Sequence, residues 1–432
     1  KPMTFITYIC SKSTPKSPMS SISTESFHVN GITYSPPAAP VIVICLDGSA
    51  DEYLDMALAY DRMPNLKKIM VQGYRGMARG ALPSFTNVNN SSIVTGVSPA
   101  IHGISGNFFF DEHKNEEVMM NSSSYLRCGT ILAAAANAGR KVAVVTAKEK
   151  LRDILSFELK GIAFSAEKAN QAILETHGIE NAEATLGIPT PAIYSGEASL
   201  FVLRAGVKLI EKGLGDFLYL SLTDYMQHTY AQDAQEAIDF YAAIDAELGH
   251  MLNLGAVIGA TADHGMNAKV HADGTPNVIF VETELTEKFG AGFRVICPIT
   301  DPYVKHHGAL GSYVVVHVEN KSLIEPVRAW LSVHPGITEV YDRATAVRVL
   351  EQPEDRIGDL VVLSGRDVVV GRTPKDHDLN ALDGTLRSHG GRYEEMVPFI
   401  ISHQLTSSYR MRAGGDPRNF DIFDFTLNGT KK

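Results

Sequence analysis

Asp224 and His228 stand four residues apart in "TDYMQHTY", so on a helical turn their side chains share one face. Asp263 and His264 leave an apolar run side by side, and Asp47 ends another, "VIVICLD". His389 lies in "SHGG", where glycines leave the backbone free to turn an imidazole inward. Carboxylate and imidazole donors with no thiolate among them suit zinc or a similar divalent ion. The six residues divide into Asp224, His228 and His389, and Asp47, Asp263 and His264. Three protein donors leave a coordination position open for a substrate or a nucleophile. Two such ions about 4 Å apart would stabilise the attacking and leaving atoms of an in-line phosphoryl transfer.

A nucleophile is available in "SFTNVNNSSIVTG". If this stretch is helical, Thr86 stands at its start, where unpaired N–H groups and the helix dipole favour an alkoxide and a phosphoryl group. A threonine there is also a common helix cap. Lys148 and Lys150 follow "VAVVTA" at a spacing of two, which on an extended chain points both ammonium groups the same way. Taken singly, each aspartate reads as a turn or helix cap, His389 as a loop residue and the lysines as a solvated pair around Glu149. His102, His306 and His307 read as structural or surface groups. The ligand candidates stand apart because donor type, order and position at the ends of apolar runs all agree.

The elements that must hold these groups are legible as runs. "PVIVICLDG", "KVAVVTAKEK", "DFLYLSLTD" and "GAVIGATADHG" are continuous apolar stretches, the mark of buried parallel strands. Helix-like segments such as "TILAAAANAGR" and "DAQEAIDFYAAIDAELGHML" lie between them. The alternation predicts an α/β core with a mainly parallel sheet covered by helices. Ligands bind such sheets at the carboxyl ends of the strands, so the aspartates, His264 and the two lysines should converge on one edge. From residue 277 to 375 the style changes. "NVIFVETEL", "GFRVICPI", "SYVVVHV", "DLVVLSG" and "DVVVG" read as short strands and "LIEPVRAWLSV" as a helix, an inserted α+β cap. The core would then comprise residues 27–276 and 376–432, with residues 1–26 as a flexible tail.

A chain of 432 residues accommodates one large α/β domain and a smaller one. Its net charge of −10 argues against a nucleic-acid partner. An anionic substrate would need positive charge supplied locally, by metal ions or placed lysines. Cys10, Cys45, Cys128 and Cys297 form no CxxC pair, so neither a disulfide framework nor a thiolate zinc site is indicated, and a cytoplasmic setting is expected. No apolar run reaches the ~20 residues of a membrane span.

The order of these motifs resembles the alkaline phosphatase superfamily. An early Asp, a Ser/Thr nucleophile, DxxxH, DH and a late His are its metal-site arrangement, spread here over residues 41–402. "SFTNVNNSSIVTGVSPAIHGISGN" is similar to the nucleophile region of its phosphodiesterase-like branch. The resemblance implies two zinc ions per chain and a threonine nucleophile at Thr86. It implies Asp224, His228 and His389 at one zinc, and Asp47, Thr86, Asp263 and His264 at the other. It also implies that Asn107 contacts the phosphoryl group and that Lys148 and Lys150 hold a substrate carboxylate. The expected reaction is hydrolysis of the C–P bond of a small anionic phosphonate, phosphonoacetate, to acetate and phosphate through a phosphothreonine. The alternative is a nucleotide phosphodiesterase or pyrophosphatase. A homodimer is compatible with either.

Overall fold

The computed structural model of the chain describes residues 22–300, 308–382 and 384–431. Seven strands form the central sheet: β1 Val41–Cys45, β2 Tyr74–Arg79, β3 Val142–Thr146, β4 Ile162–Ser165, β5 Phe217–Ser221, β6 Val257–Thr261 and β7 Met396–Ile401. Their order is β2-β7-β6-β1-β5-β3-β4, and β7 alone runs against the rest. The central strands are apolar at every position because both faces are covered. Ile42 and Ile44 face one core cluster, while Val41, Val43 and Cys45 face another. Each such side chain contributes roughly 1.5–3 kcal/mol by leaving water.

Strand register, more than composition, fixes where the ligand candidates emerge. Cys45 pairs with Thr261 on one side and Ser221 on the other, and Ser221 pairs with Thr146. Four parallel strands therefore end in one row. Asp47, Asp263 and Lys148 lie two residues past that row, and Asp224 and His264 three past it. The connecting helices begin at the same edge: α1 Thr86–Thr95, α2 Glu149–Leu155, α3 Gly196–Glu211, α4 Tyr225–Thr229 and α5 Gln235–Asn253.

The opposite edge is fastened by Arg140, whose side chain is fully buried. Its guanidinium donates to Asp216 Oδ1 and to the carbonyls of Asp216, Ala39 and Pro37 at 2.6–3.1 Å. It thus ties the entries of β1, β3 and β5 together.

A second, antiparallel sheet has the strand order Phe293–Ile296, Tyr313–Val318, Leu360–Ser364, Ile337–Asp342. Its core cluster takes in Leu82, Phe85 and Val88, so this sheet buttresses the start of α1. The run "NVIFVETEL" differs from the all-strand expectation. Only Val278–Phe280 is strand, and Val281–Phe289 is a helix. Val281 and Leu285 are buried four residues apart, and Glu282 and Glu284 occupy its first turn, a helical signature hidden by the short apolar run. The strand Ile337–Asp342 and helix Arg343–Val349, started by an Asp342 cap on Thr345 N–H, were also not anticipated.

Of the tail expected over residues 1–26, residues 1–21 lie outside the described residues, as do His306 and His307. Ser23 is already fastened: its hydroxyl donates to Ala138 O at 2.8 Å and its carbonyl accepts from Arg140. The packed chain therefore starts before Ser26. No helix among the described residues is long and apolar enough to cross a membrane.

Arg140→Met should cost about 3–5 kcal/mol in urea unfolding, because it strands the Asp216 carboxylate and several carbonyls. A loss under about 1 kcal/mol would show that the sheet register does not depend on this lock.

Candidate active site

The structure gathers the six ligand candidates at the carboxyl edge, all buried. Donor atoms of Asp224, His228 and His389 lie within 4.8 Å of one another, and so do those of Asp47, Asp263 and His264. His228 Nε2 is 2.9 Å from Asp224 Oδ2, and His389 Nε2 is 3.8 Å from the same oxygen. His264 Nε2 is 3.3 Å from Asp47 Oδ1 and 3.7 Å from Asp263 Oδ2. The His264 and His389 rings stack across the two groups, 3.5 Å between centroids and 4° from parallel.

Each histidine is oriented by a backbone carbonyl. Nδ1 of His228 meets Arg387 O at 2.7 Å, that of His264 meets Gly265 O at 2.9 Å, and that of His389 meets Ser84 O at 2.8 Å. A carbonyl can only accept, so Nδ1 carries the proton and the Nε2 lone pair faces the carboxylates. Lone-pair atoms about 3–4 Å apart repel unless a positive charge lies between them. Without a metal that charge is a proton. Burial works against the His264 imidazolium, but the carboxylates of Asp263 and Asp47 outweigh it and hold its pKa up at about 10. Burial, with Asp224 and Asp263 alongside, pushes Asp47 well above the usual carboxylate range. This donor set suits divalent cations.

Aspartates at strand ends commonly cap helices, but Asp224, at the N-cap of α4, makes no cap bond. Gly48 permits the close approach of the Asp47 and Asp224 loops. It has φ +71°, and a Cβ there would stand 2.7 Å from Asp224 Cβ. Gly390, at φ +121°, does the same for the His389 loop against Phe85.

Thr86 is not a cap either, since it is the first helical residue after Phe85. From residue 80 to 99 every residue is buried except Thr86. Its Oγ1 lies 3.5 Å from His264 Nε2. Asn107 is buried beside it, accepting from Asn87 N–H at 3.3 Å and donating to Ile299 O at 3.4 Å. Lys148 Nζ is 3.4 Å from Asp224 Oδ1. The chain is extended at Lys148 but Lys150 already lies in the first turn of α2, so the simple alternation argument does not hold there. Both lysines nonetheless line one cavity of about 750 Å3, with Asn121, Lys168 and Tyr194. His102 is buried against Ser92 Oγ at 2.8 Å, away from these groups. Ile104 N–H donates to its Nδ1, so Nε2 holds the proton and cannot activate Ser92.

The sequence matches the type I phosphodiesterase / nucleotide pyrophosphatase family over residues 41–160 and 216–394. The chain belongs to this family. It is similar, at 45% identity and a TM-score of 0.89, to phosphonoacetate hydrolase from Sinorhizobium meliloti 1021, solved with phosphonoformate and with phosphonoacetate. The match covers 94% of this chain and 100% of that one. Mouse ectonucleotide pyrophosphatase / phosphodiesterase 5, solved with AMP, shares the fold at 17% identity and a TM-score of 0.60, over 91% of this chain and 96% of that one. Mouse ectonucleotide pyrophosphatase/phosphodiesterase family member 3 is 34% identical over 84 residues, 19% of this chain and 9% of that protein's length.

The polar interior of α1 was not singled out from the sequence. Asn90 accepts from Tyr219 and Ser221 on β5 at 2.7 and 2.9 Å, and donates to Asp263 Oδ2 at 3.3 Å. It locks the helix carrying Thr86 to a ligand candidate, Asp263, and to the sheet. Four consecutive polar residues in "NVNNSS", on a helix with no apolar stripe, were the available signal. Asn90→Ala should cost about 2–4 kcal/mol in unfolding of the metal-free protein, since it leaves two buried hydroxyls without an acceptor. Metal affinity should fall ~10–100-fold as Asp263 loses its donor. Unchanged affinity by competition with a chelator would show that Asn90 serves stability alone.

Proposed function

We propose that the protein is a phosphonoacetate hydrolase, cleaving the C–P bond to give acetate and phosphate. What supports this reading most is the 45% identity, over 94% of the chain, to an enzyme of that name solved with phosphonoacetate. The two buried donor groups would hold two zinc ions, Asp224, His228 and His389 at one and Asp47, Asp263, His264 and Thr86 at the other. When bound, the ions supply Lewis-acid stabilisation of the phosphoryl oxygens.

The chain's own residues do the rest. Thr86 Oγ1 releases its hydroxyl proton to water and forms a bond to phosphorus as the P–C bond breaks, giving a phosphothreonine that water then cleaves to phosphate and free Thr86. The start of α1 and the Asn107 carboxamide offer N–H donors to the phosphoryl group. The electron pair of the broken bond passes to carbon, a poor leaving group unless delocalised. The adjacent carboxylate takes up that charge, and a proton from water completes acetate. Lys148 and Lys150 bind this carboxylate and stabilise the charge as it grows. Burial opposes charge on Lys148, but Asp224 and Asp47 outweigh it and hold the ammonium above its usual range. The described cysteines, Cys45, Cys128 and Cys297, are free thiols, in keeping with a cytoplasmic enzyme.

The alternative, a nucleotide phosphodiesterase, would use the exposed Tyr194 ring on the cavity wall to stack a base.

Thr86→Ala should lower phosphate release ~10³-fold or more while the purified variant keeps about two metal ions per chain by elemental analysis. Near-normal turnover would remove Thr86 from the chemistry. Replacing both Lys148 and Lys150 by Ala should cost ~2–5 kcal/mol in kcat/KM for phosphonoacetate. Hydrolysis of an aryl phosphate ester, which lacks the carboxylate, should change far less. Equal losses on both substrates would make the lysines supports of the phosphoryl site. No loss on either would favour the phosphodiesterase.

A further inference from the structure

His264 and His389 belong to different donor groups, yet their rings lie face to face. Something must set the distance between the two loops that carry them. Both loops are tied to the same buried residue. Glu394 is wholly buried, five residues after His389. Its backbone carbonyl accepts from Gly265 N–H at 2.8 Å, the residue after His264. Its Oε2 accepts from Gly391 N–H at 3.1 Å, two residues after His389. Its Oε1 accepts from Asn267 Nδ2 at 2.6 Å and from Lys269 Nζ at 2.8 Å, both on the segment just beyond His264. Lys269 is wholly buried too, and its other contacts, Ser312 Oγ at 2.8 Å and Arg366 O at 2.7 Å, come from loops flanking strands Tyr313–Val318 and Leu360–Ser364 of the second sheet. Ser312 N–H in turn donates to His389 O at 2.9 Å.

We propose that Glu394, with Lys269 as its counter-ion, is the positioning residue that spaces the His264 and His389 loops and so couples the two metal positions. The inference rests on the reading of the donor groups as metal sites. The chemistry requires a carboxylate. Its two oxygens serve donors on opposite sides, Gly391 N–H on one and Lys269 and Asn267 on the other. A carboxamide has a single acceptor oxygen, so a glutamine would turn its NH2 toward one of those donors. With the lysine also gone, the Asn267 carboxamide can flip to offer its oxygen to the new NH2 by releasing Arg366 Nε, the glutamine oxygen can face Gly391, and the spacing would be regained.

The test is metal binding by folded, metal-free protein, titrated with Zn2+ against a competing chelator, with folding of each variant checked by circular dichroism. Wild type should take up two ions. Glu394→Gln should weaken uptake of at least one ion ~10–100-fold, and the double variant Lys269→Met/Glu394→Gln should recover to within about threefold of wild type. A role in stability alone predicts no such recovery pattern in the affinity of folded protein. Wild-type affinities in Glu394→Gln would overturn the proposal, and so would a double variant no tighter than the single one. If Glu394→Gln does not fold, the double variant still decides, because affinities more than about tenfold below wild type in it would overturn the proposal. Failure of wild type itself to bind two ions would instead overturn the metal-site reading.

Discussion

Three buried carboxylates, Asp47, Asp224 and Asp263, sit at one edge of the sheet, and their mutual repulsion is the constraint that organises the rest. Unpaired charges of this kind cost several kcal/mol each, so the fold tolerates them only where cations are supplied. Burial would raise the Asp224 carboxyl, yet Lys148 and His228 hold it well below the usual range. For Asp47 the His264 contact does not offset burial and the charges of Asp224 and Asp263, and it is driven the other way. Burial and the neighbouring His264 and His228 keep His389 well below its ordinary range, so it stays a neutral donor. The same cluster thus contains a carboxylate held ionised, one resisting ionisation, and a neutral imidazole. A pair of divalent cations, if held as proposed, would reconcile all three.

Holding such a cluster takes rigid supports, and these are mostly backbone. Strand register sets the depth of Asp47, Asp263 and Lys148, and carbonyls set the three imidazoles. Ser84 does two jobs: its carbonyl orients His389, and its hydroxyl joins Gly390 N–H and Gly391 O at 3.1 and 3.0 Å. The segment entering α1 is therefore stitched to the late histidine loop, some 300 positions away in sequence. Thr86 emerges from that stitched, buried segment as its one solvent-reaching residue.

The parts legible in the sequence were those with a period or an end. Apolar runs announced the parallel strands, and the charged residue after each run announced the edge. The i, i+4 spacing of Asp224 and His228 became a real helical turn, α4. What stayed illegible depends on contacts between distant segments. Nothing local to Glu394 says that it meets Lys269, and nothing in "NVNNSS" says which asparagine reaches Asp263. Short apolar runs were also ambiguous between strand and helix, as Val281–Phe289 demonstrates.

The start of α2 shows the site overruling local preference. Helix N-termini favour acidic residues and hydrogen-bond acceptors, because their N–H groups carry partial positive charge. Here Lys148 occupies the N-cap, makes no cap bond, and Lys150 sits in the first turn. The missing cap comes from elsewhere: Glu167, just after β4, accepts from Glu149 N–H at 2.8 Å. Glu149 itself is turned away, accepting from Ser165 Oγ at 2.6 Å and Arg152 Nε at 2.8 Å. Burial and the adjacent Lys148 lower the Lys150 pKa to about 7, so two cations are being held close together at some cost. A local rule broken with such specific compensation supports the proposed role of Lys148 and Lys150 in holding an anion. What could repay that cost is a second anion brought into the cavity, close enough to meet both ammonium groups.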